Sequence, residues 1–113
     1  MEDTIFDKIL RKEIPSDVVY EDDDVLAFRD INPQAPTHVV VIPKSKAAGF
    51  DRLQSLSPEV VGRYMQGVAR AAEKLGLGEG YRVVFNVGRH GLQTVAYVHA
   101  HLLGGRMMGW PPG

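Results

Sequence analysis

An apolar run near the end of the chain carries two histidines, and its sequence is Tyr97-Val98-His99-Ala100-His101-Leu102-Leu103. Successive side chains of a β-strand alternate between its two faces, so a strand over this run would place His99 and His101 side by side. Histidine is the side chain whose ordinary pKa lies nearest neutrality, so an uncharged ring nitrogen is present at pH 7. The run therefore predicts a strand with a pair of chemically useful imidazoles on one face.

Such a pair has three interpretations. The two rings can be solvated or hydrogen-bonded side chains without a chemical role. They can begin a zinc or non-haem iron site, for which His38, His90 or Asp30 would have to supply a third ligand. They can also act in nucleophilic or acid–base catalysis. A glycine-bearing loop with Thr94 lies just upstream and favours catalysis on a phosphate, which backbone N–H groups and a hydroxyl can bind.

Length and composition narrow the class of protein. The chain has 113 residues, which predicts a single domain over residues 1–113 with one hydrophobic core. The formal net charge of −1 gives no support for nucleic-acid or membrane binding. Cysteine is absent, which excludes disulfides, thiolate catalysis and cysteine-ligated zinc. The acidic N-terminus and the lack of a long apolar run predict a cytoplasmic protein.

Periodicity and turn residues predict two main helices and five strands. The first helix is expected over Thr4–Arg11, with Asp3 or Thr4 as its N-cap. The second is expected to begin at Ser57 and to end at Gly76. The strands are grouped in pairs, which is typical of an α+β fold with a mostly antiparallel five-stranded sheet. The predicted strands are Val18–Glu21, Val25–Ile31, His38–Ile42, Tyr81–Val87 and Val95–Leu103.

The histidine run resembles the His-φ-His-φ-His-φ-φ signature of the histidine-triad superfamily, where φ is an apolar residue. The ending of the chain is similar to that of the nucleotide-binding protein branch of this superfamily, in Leu103-Gly104-Gly105-Arg106 and Trp110-Pro111-Pro112-Gly113. Other segments match in order, so the resemblance covers essentially the whole chain. They are Asp3-Thr4-Ile5-Phe6, Arg11-Lys12-Glu13-Ile14-Pro15, Ala27-Phe28-Arg29-Asp30-Ile31, Pro33-Gln34-Ala35-Pro36-Thr37-His38 and Gly80-Tyr81-Arg82.

The resemblance implies an enzyme that needs no cofactor and cleaves the P–N bond of purine nucleoside phosphoramidates. It implies purine nucleoside monophosphates and their amine adducts as ligands, and a homodimer whose two sheets join into one of ten strands. It also implies that His99 attacks phosphorus, that His101 contacts a phosphoryl oxygen and that His38 orients the triad. Tyr97 occupies the first triad position and would contact the other two from the same strand face.

The nucleoside half of the site is also predicted. In the strand that begins at Val25, Phe28 and Asp30 share a face, so that an aromatic ring can pack on a base while a carboxylate accepts from ribose hydroxyls. Without the resemblance, Ile5, Ile9 and Phe28 are equally expected as core residues. With it, the nucleotide-binding residues are Ile5, Phe6, Ile9, Phe28, Asp30, Ile31, Asn86, Leu92, Thr94, His99, His101 and Trp110.

The sequence departs from the family pattern at four positions. Tyr97 replaces a histidine, which predicts reduced or altered activity, and Ala96 replaces a bulkier aromatic residue. Leu92 replaces a glycine and would be strained at a positive φ. Lys46 replaces a histidine and is interpreted as a surface change.

These departures keep two other hypotheses open. One is a scaffold of the same fold that binds a nucleotide or a protein partner without turnover. The other, which is weaker, is a metal-binding protein or metal-dependent hydrolase that uses His38, His99 and His101 as ligands.

Overall fold

In the computed structural model, which describes residues 2–113, the chain forms two α-helices, a short 3₁₀-helix and five strands. Met1, which the predicted domain includes, lies outside the described residues. The helices are α1 (Ile5–Leu10), the 3₁₀-helix (Phe50–Ser55) and α2 (Pro58–Lys74). The strands are β1 (Val18–Glu21), β2 (Val25–Arg29), β3 (Thr37–Pro43), β4 (Tyr81–Val84) and β5 (Ala100–Gly104).

The strands form one antiparallel sheet with the order β1-β2-β3-β5-β4, which confirms the predicted α+β fold. The central strands β2 and β3 are buried on both faces, and their near-continuous apolar sequences reflect this. Within residues 2–113, neither α-helix has the length and apolar character needed to span a membrane.

Both helices have the local end signals expected from the sequence. Thr4 caps α1 through a capping box in which its hydroxyl accepts from the backbone N–H of Asp7, and the Asp7 carboxylate accepts from the backbone N–H of Thr4. Ser57 caps α2, and Pro58 occupies its first turn. Gly76 follows α2 with a φ of 68°, a left-handed conformation that suits glycine.

The two helices cover opposite faces of the sheet. The longer helix α2 packs on the larger core, which contains Val39, Val41 and Leu102 from the sheet. On the other face, Ile9 of α1 belongs to a smaller cluster, and Phe6 of α1 packs against that cluster. That cluster consists of Ile9, Leu26, Phe28, Val40, Ile42 and Tyr97. Because side chains alternate along β3, His38 lies on the same face as Val40, beneath α1.

Three strands are shorter than predicted. Strand β2 ends at Arg29, because the Asp30 side chain accepts from the backbone N–H of Asn32 and begins a turn. Strand β4 ends at Val84 rather than at residue 87. The largest difference is in β5, which begins at Ala100 rather than at residue 95. The segment before it bonds to the loop after β3, where the N–H of Val98 donates to the carbonyl of Ala47 over 2.7 Å.

Candidate active site

Three of the four histidines in the chain come together on the α1 face of the sheet. His101 on β5 pairs directly with Val40 of β3, which brings it beside His38. The ring centroids of His38 and His101 are 5.1 Å apart, and those of His99 and His101 are 4.9 Å apart. His38 and His99 are buried, whereas His101 is partly exposed. The structure therefore brings the predicted pair of imidazoles together with His38, which the resemblance had placed beside them.

The hydrogen bonds of His38 determine where His101 carries its proton. The backbone N–H of Gln34 donates to Nδ1 of His38 over 3.0 Å, so this nitrogen has no hydrogen. Nε2 of His38 must then carry the hydrogen of the uncharged ring, and it donates to Nδ1 of His101 over 2.8 Å. His101 consequently carries its own hydrogen on Nε2. It presents an N–H donor at the remaining side of its ring.

His99 has the opposite arrangement. Its Nδ1 lies 2.7 Å from the backbone carbonyl oxygen of Tyr97, which can only accept. Nδ1 of His99 is therefore protonated, and Nε2 keeps a free lone pair. The Phe6 ring meets the His99 ring edge-to-face at a centroid distance of 4.9 Å and limits its rotation. The site thus combines a nucleophilic nitrogen with a neighbouring hydrogen-bond donor.

The rings of His99 and His101 are uncharged near neutral pH. Burial lowers the pKa of His99 below its ordinary value of 6.5. Burial also lowers the pKa of His101, to about 4, and the adjacent rings of His99 and His38 act in the same direction because two charged imidazoles would repel each other. The tautomers described above are therefore the resting state of the site at pH 7.

The aromatic residues predicted for base binding lie next to the histidines. Phe6 contacts Phe28 at a centroid distance of 5.5 Å as well as His99, while Ile9 is buried beneath them. Ile5 is about half exposed at 47 %, and Ile31 is fully exposed on the connection after β2. The structure therefore groups Phe6, Ile9 and Phe28, but Ile9 and Phe28 are buried in the smaller core and only Phe6 is partly exposed, while Ile31 projects into solvent.

Asp30 lies beside His38 at the edge of this site. One of its carboxylate oxygens is 3.5 Å from Nε2 of His38, and the other accepts from the backbone N–H of Asn32. The carboxylate is 23 % exposed, so it can reach a ligand at the surface of the site.

Residues 11–108 match the HIT domain family, and this stretch is most of the chain. The chain belongs to the HIT family. Among its relatives, the 14 kDa zinc-binding protein of Zea mays is 55 % identical in an alignment of 112 residues that covers 97 % of this chain and 88 % of the relative. The purine nucleoside phosphoramidase of Escherichia coli (strain K12) is 50 % identical over 109 residues, which are 96 % of this chain and 92 % of the enzyme.

Solved structures of the HIT family have the same fold. The crystal structure of a HIT family hydrolase from Legionella pneumophila superposes with a TM-score of 0.90 at 47 % identity. The match covers 98 % of this chain and all of the Legionella chain.

A glycine-bearing loop precedes the histidine segment of this HIT protein. The side-chain amide of Asn86 donates to the carbonyl of Gly91 over 2.7 Å, and this bond closes the loop. Leu92 has a φ of 59° and is 77 % exposed, so a bulky side chain occupies the left-handed conformation that glycine tolerates best. Thr94 is exposed on the same loop. Trp110 is also exposed, and the carbonyl of the preceding Gly109 accepts from Arg82 on β4.

Replacing Leu92 by glycine should stabilise the protein by about 0.5–1 kcal/mol, because relief of the left-handed strain exceeds the added chain entropy of glycine. The exposed side chain makes little packing that could be lost. The measurement is urea unfolding followed by circular dichroism. Leu92→Ala is the matched control, since it shortens the side chain but keeps the strained Cβ. An equal gain in both variants would contradict a backbone origin.

Two expectations about the departures from the family pattern are wrong. Tyr97 does not lie on a strand with His101, and its hydroxyl donates to the carbonyl of Pro43 over 2.5 Å instead of contacting the histidines. The backbone carbonyl of Tyr97, not its side chain, holds His99. Lys46 is not merely a surface change, because its side chain is partly buried, at 18 % exposed, and pairs with Asp7 over 2.8 Å. No sequence signal links positions 7 and 46, which are brought together only by the fold.

Proposed function

We propose that this HIT protein is a nucleotide-binding hydrolase that cleaves the P–N bond of purine nucleoside phosphoramidates through a nucleotidyl-His99 intermediate. One observation carries the proposal: the hydrogen bonds give His99 a free Nε2 lone pair and give His101 an Nε2–H donor, on rings 4.9 Å apart. A displacement at phosphorus requires both an uncharged nucleophile and a donor for the phosphoryl oxygens.

The reaction has two steps that reuse one histidine. In the first, Nε2 of His99 forms a bond to the α-phosphorus, the P–N bond to the amine breaks, and the amine leaves with a proton from water. The hydroxide that remains is neutralised by the proton released in the second step. In the second, water attacks phosphorus, the bond to His99 breaks, and nucleoside monophosphate and a proton are released. The ring of His99 is positively charged between the steps, and the carbonyl of Tyr97 stabilises that charge through Nδ1–H.

The nucleotide would be bound by groups on both sides of the histidines. The partly exposed Phe6, which packs on the buried Phe28, offers aromatic surface for a purine base, and the partly exposed Asp30 carboxylate offers acceptors for ribose hydroxyls. Thr94 and the backbone of the loop closed by Asn86 offer donors to the phosphate. The name of the E. coli relative, purine nucleoside phosphoramidase, supports this ligand class.

The departures from the family pattern reduce this activity in our proposal without abolishing it. The phenol of Tyr97 does not supply the donor that a triad histidine would, because it is buried and its O–H donates to the carbonyl of Pro43. Leu92 projects from the loop that would approach phosphate, where its side chain would crowd the substrate. If the loss were complete, the protein would be a nucleotide-binding scaffold, which is the alternative within the same fold.

A metal site is the second candidate function, and one observation favours it. Asp30, His38 and His101 each offer a ligand atom, and the three atoms lie within 4.8 Å of one another. Two imidazoles and a carboxylate can bind zinc. The sequence-based set contained His99 in place of Asp30, whereas the three ligand atoms that lie together belong to Asp30, His38 and His101. The maize relative is named a zinc-binding protein, which supports testing this candidate.

A homodimer is part of the proposal. Strand β4 is an edge strand whose Tyr81 and Val83 are 42 % and 46 % exposed, so a second copy could pair with this edge and extend the sheet to ten strands. Light scattering at micromolar concentration should then give twice the mass of the chain, and the mass of a monomer would contradict it. A cytoplasmic location is proposed as well, and cell fractionation tests it.

The test of the function is incubation of the protein with adenosine 5′-phosphoramidate, followed by ³¹P NMR, with and without EDTA. Formation of AMP that resists EDTA supports the hydrolase. Saturable binding of AMP by calorimetry without turnover supports the scaffold. Turnover or zinc binding that EDTA removes supports the metal candidate.

A further inference from the structure

Lys46 and Tyr97, two of the departures from the family pattern, meet in space. The ammonium of Lys46 lies 5.4 Å from the centroid of the Tyr97 ring, within the range of a cation–π contact. The same ammonium donates to a carboxylate oxygen of Asp7 over 2.8 Å and to the backbone carbonyl of Glu2 over 2.7 Å. Lys46 therefore joins helix α1 and the chain before it to the loop after β3 and to Tyr97.

The loop that Lys46 holds is bonded to the peptide that orients His99. The peptide group between Tyr97 and Val98 is planar, so its N–H and its C=O turn together. Its N–H donates to the carbonyl of Ala47 over 2.7 Å, and its C=O accepts Nδ1–H of His99 over 2.7 Å. A displacement of Ala47 must consequently rotate the carbonyl that holds His99.

The Tyr97 side chain also holds the Tyr97–Val98 peptide in place, through a contact with the end of β3. Its hydroxyl donates to the carbonyl of Pro43, at the end of β3. Its ring is 1 % exposed, so it cannot reorient without leaving the smaller core. Pro43 and Ala47 thus lie on either side of Lys46 in the chain. Their carbonyls accept hydrogen bonds from two consecutive residues, Tyr97 and Val98.

We propose that Lys46 and Tyr97 form one positioning unit that holds the Tyr97–Val98 peptide and so keeps Nδ1 of His99 protonated and Nε2 directed at substrate. The catalytic consequence rests on the proposed function, but the effect on His99 exists in the free protein. Both side chains act through other groups, Lys46 through Asp7 and the Tyr97 ring and Tyr97 through Pro43, so both are positioning residues.

The surroundings of the unit favour a stable ion pair. Burial alone would raise the pKa of Asp7, but hydrogen bonds from Lys46 and Thr4 lower it to about 2. Both side chains are less than one-fifth exposed, at 18 % and 15 %. Lys44, two residues earlier on the loop, also pairs with an acidic residue, Glu21, over 2.9 Å, but Glu21 lies on β1, away from the histidine segment. This second lysine provides a matched control.

The test compares Lys46→Met with Lys44→Met in protein labelled with ¹⁵N at histidine. In Lys46→Met, the Nδ1 and Nε2 shifts of His99 should move towards each other as the second tautomer becomes populated. With phosphoramidate, kcat should fall on the order of tenfold while KM changes less. Lys44→Met should leave the shifts, kcat and KM unchanged.

Two more variants keep the outcome clear if Lys46→Met does not fold. Lys46→Arg retains the cation and its donors and should restore most of the wild-type shifts. Tyr97→Phe removes only the hydroxyl and should move the same His99 signals. Unchanged His99 shifts in folded Lys46→Met, or equal changes in Lys44→Met, would overturn the positioning unit. Altered shifts in a protein without phosphoramidase activity would support the unit and reject the proposed function.

Discussion

Replacing His99 by alanine should lower kcat/KM for adenosine 5′-phosphoramidate by about 10⁴-fold or more, because no other group in the site offers a free lone pair beside a phosphoryl donor. Nε2 of His38 donates to His101, and Nδ1 of His101 accepts from it, so neither can replace the lost nucleophile. The measurement is the rate of AMP formation, with circular dichroism to verify folding, since His99 is 6 % exposed and its loss leaves a small cavity.

A covalent intermediate gives this prediction a second readout. Wild-type protein quenched with base during turnover should gain the mass of one AMP group on His99, since a phosphorus–histidine bond survives base. The His99→Ala variant should gain none. His90→Ala is the control, because this histidine is exposed and its side chain contacts Arg89 rather than the three-histidine cluster. AMP formation by His99→Ala at the wild-type rate would reject His99 as the nucleophile.

The pH dependence of the same rate follows from the environment of His99. Attack requires the uncharged ring, so kcat/KM should fall as the pH drops through the pKa of His99 in the free protein. Burial lowers that pKa, so the acid limb should have its midpoint below 6.5 and the rate should be constant around pH 7. A midpoint above 6.5 would show that a different group titrates.

Replacing His101 by alanine should lower kcat by about 10²–10³-fold, which is the usual cost of removing one donor to a developing phosphoryl or acyl oxyanion. KM should change less, because the donor is most important when negative charge gathers on phosphorus. His101→Gln returns an N–H donor near the same place and should recover part of the loss. Stopped-flow or ³¹P NMR rates measure both variants.

The same pair of variants separates the hydrolase from the metal candidate. If a metal at Asp30, His38 and His101 carried the activity, His101→Gln would lose both the metal and the activity. Added zinc would then change the measured rates. Partial recovery in His101→Gln with EDTA present supports the donor role. Complete loss in both variants, with EDTA-sensitive wild type, would instead favour the metal.

The parts of the fold that depend on neighbours in sequence were predicted correctly. The caps at Thr4 and Ser57, the end of α2 before Gly76 and the bounds of β1 follow from contacts within a few residues. The start of β5 was wrong because Val95 and its successors have the apolar pattern of a strand but bond to a loop about fifty residues away. Pattern alone cannot show which backbone partner a short apolar segment takes.

The sequence predicted the histidines of the site but not all of the residues that surround them. The spacing of His99 and His101 was sufficient to place two imidazoles side by side, and the resemblance added His38. The burial of Lys46 was missed, because its partner Asp7 is 39 positions away and carries an ordinary helix-capping pattern of its own. The assignment of residues 1–113 to a single domain stays a prediction.

By itself, the sequence determined the elements, the antiparallel sheet and the adjacency of two histidines, because these depend on periodicity and on residues close in the chain. Only the tertiary structure decided which nitrogen of each ring carries the proton. That choice depends on a donor at Gln34, on His38 across the sheet and on the peptide that follows Tyr97. An imidazole takes its tautomer from the hydrogen-bond partners that surround it, and distant segments supply those partners only after folding.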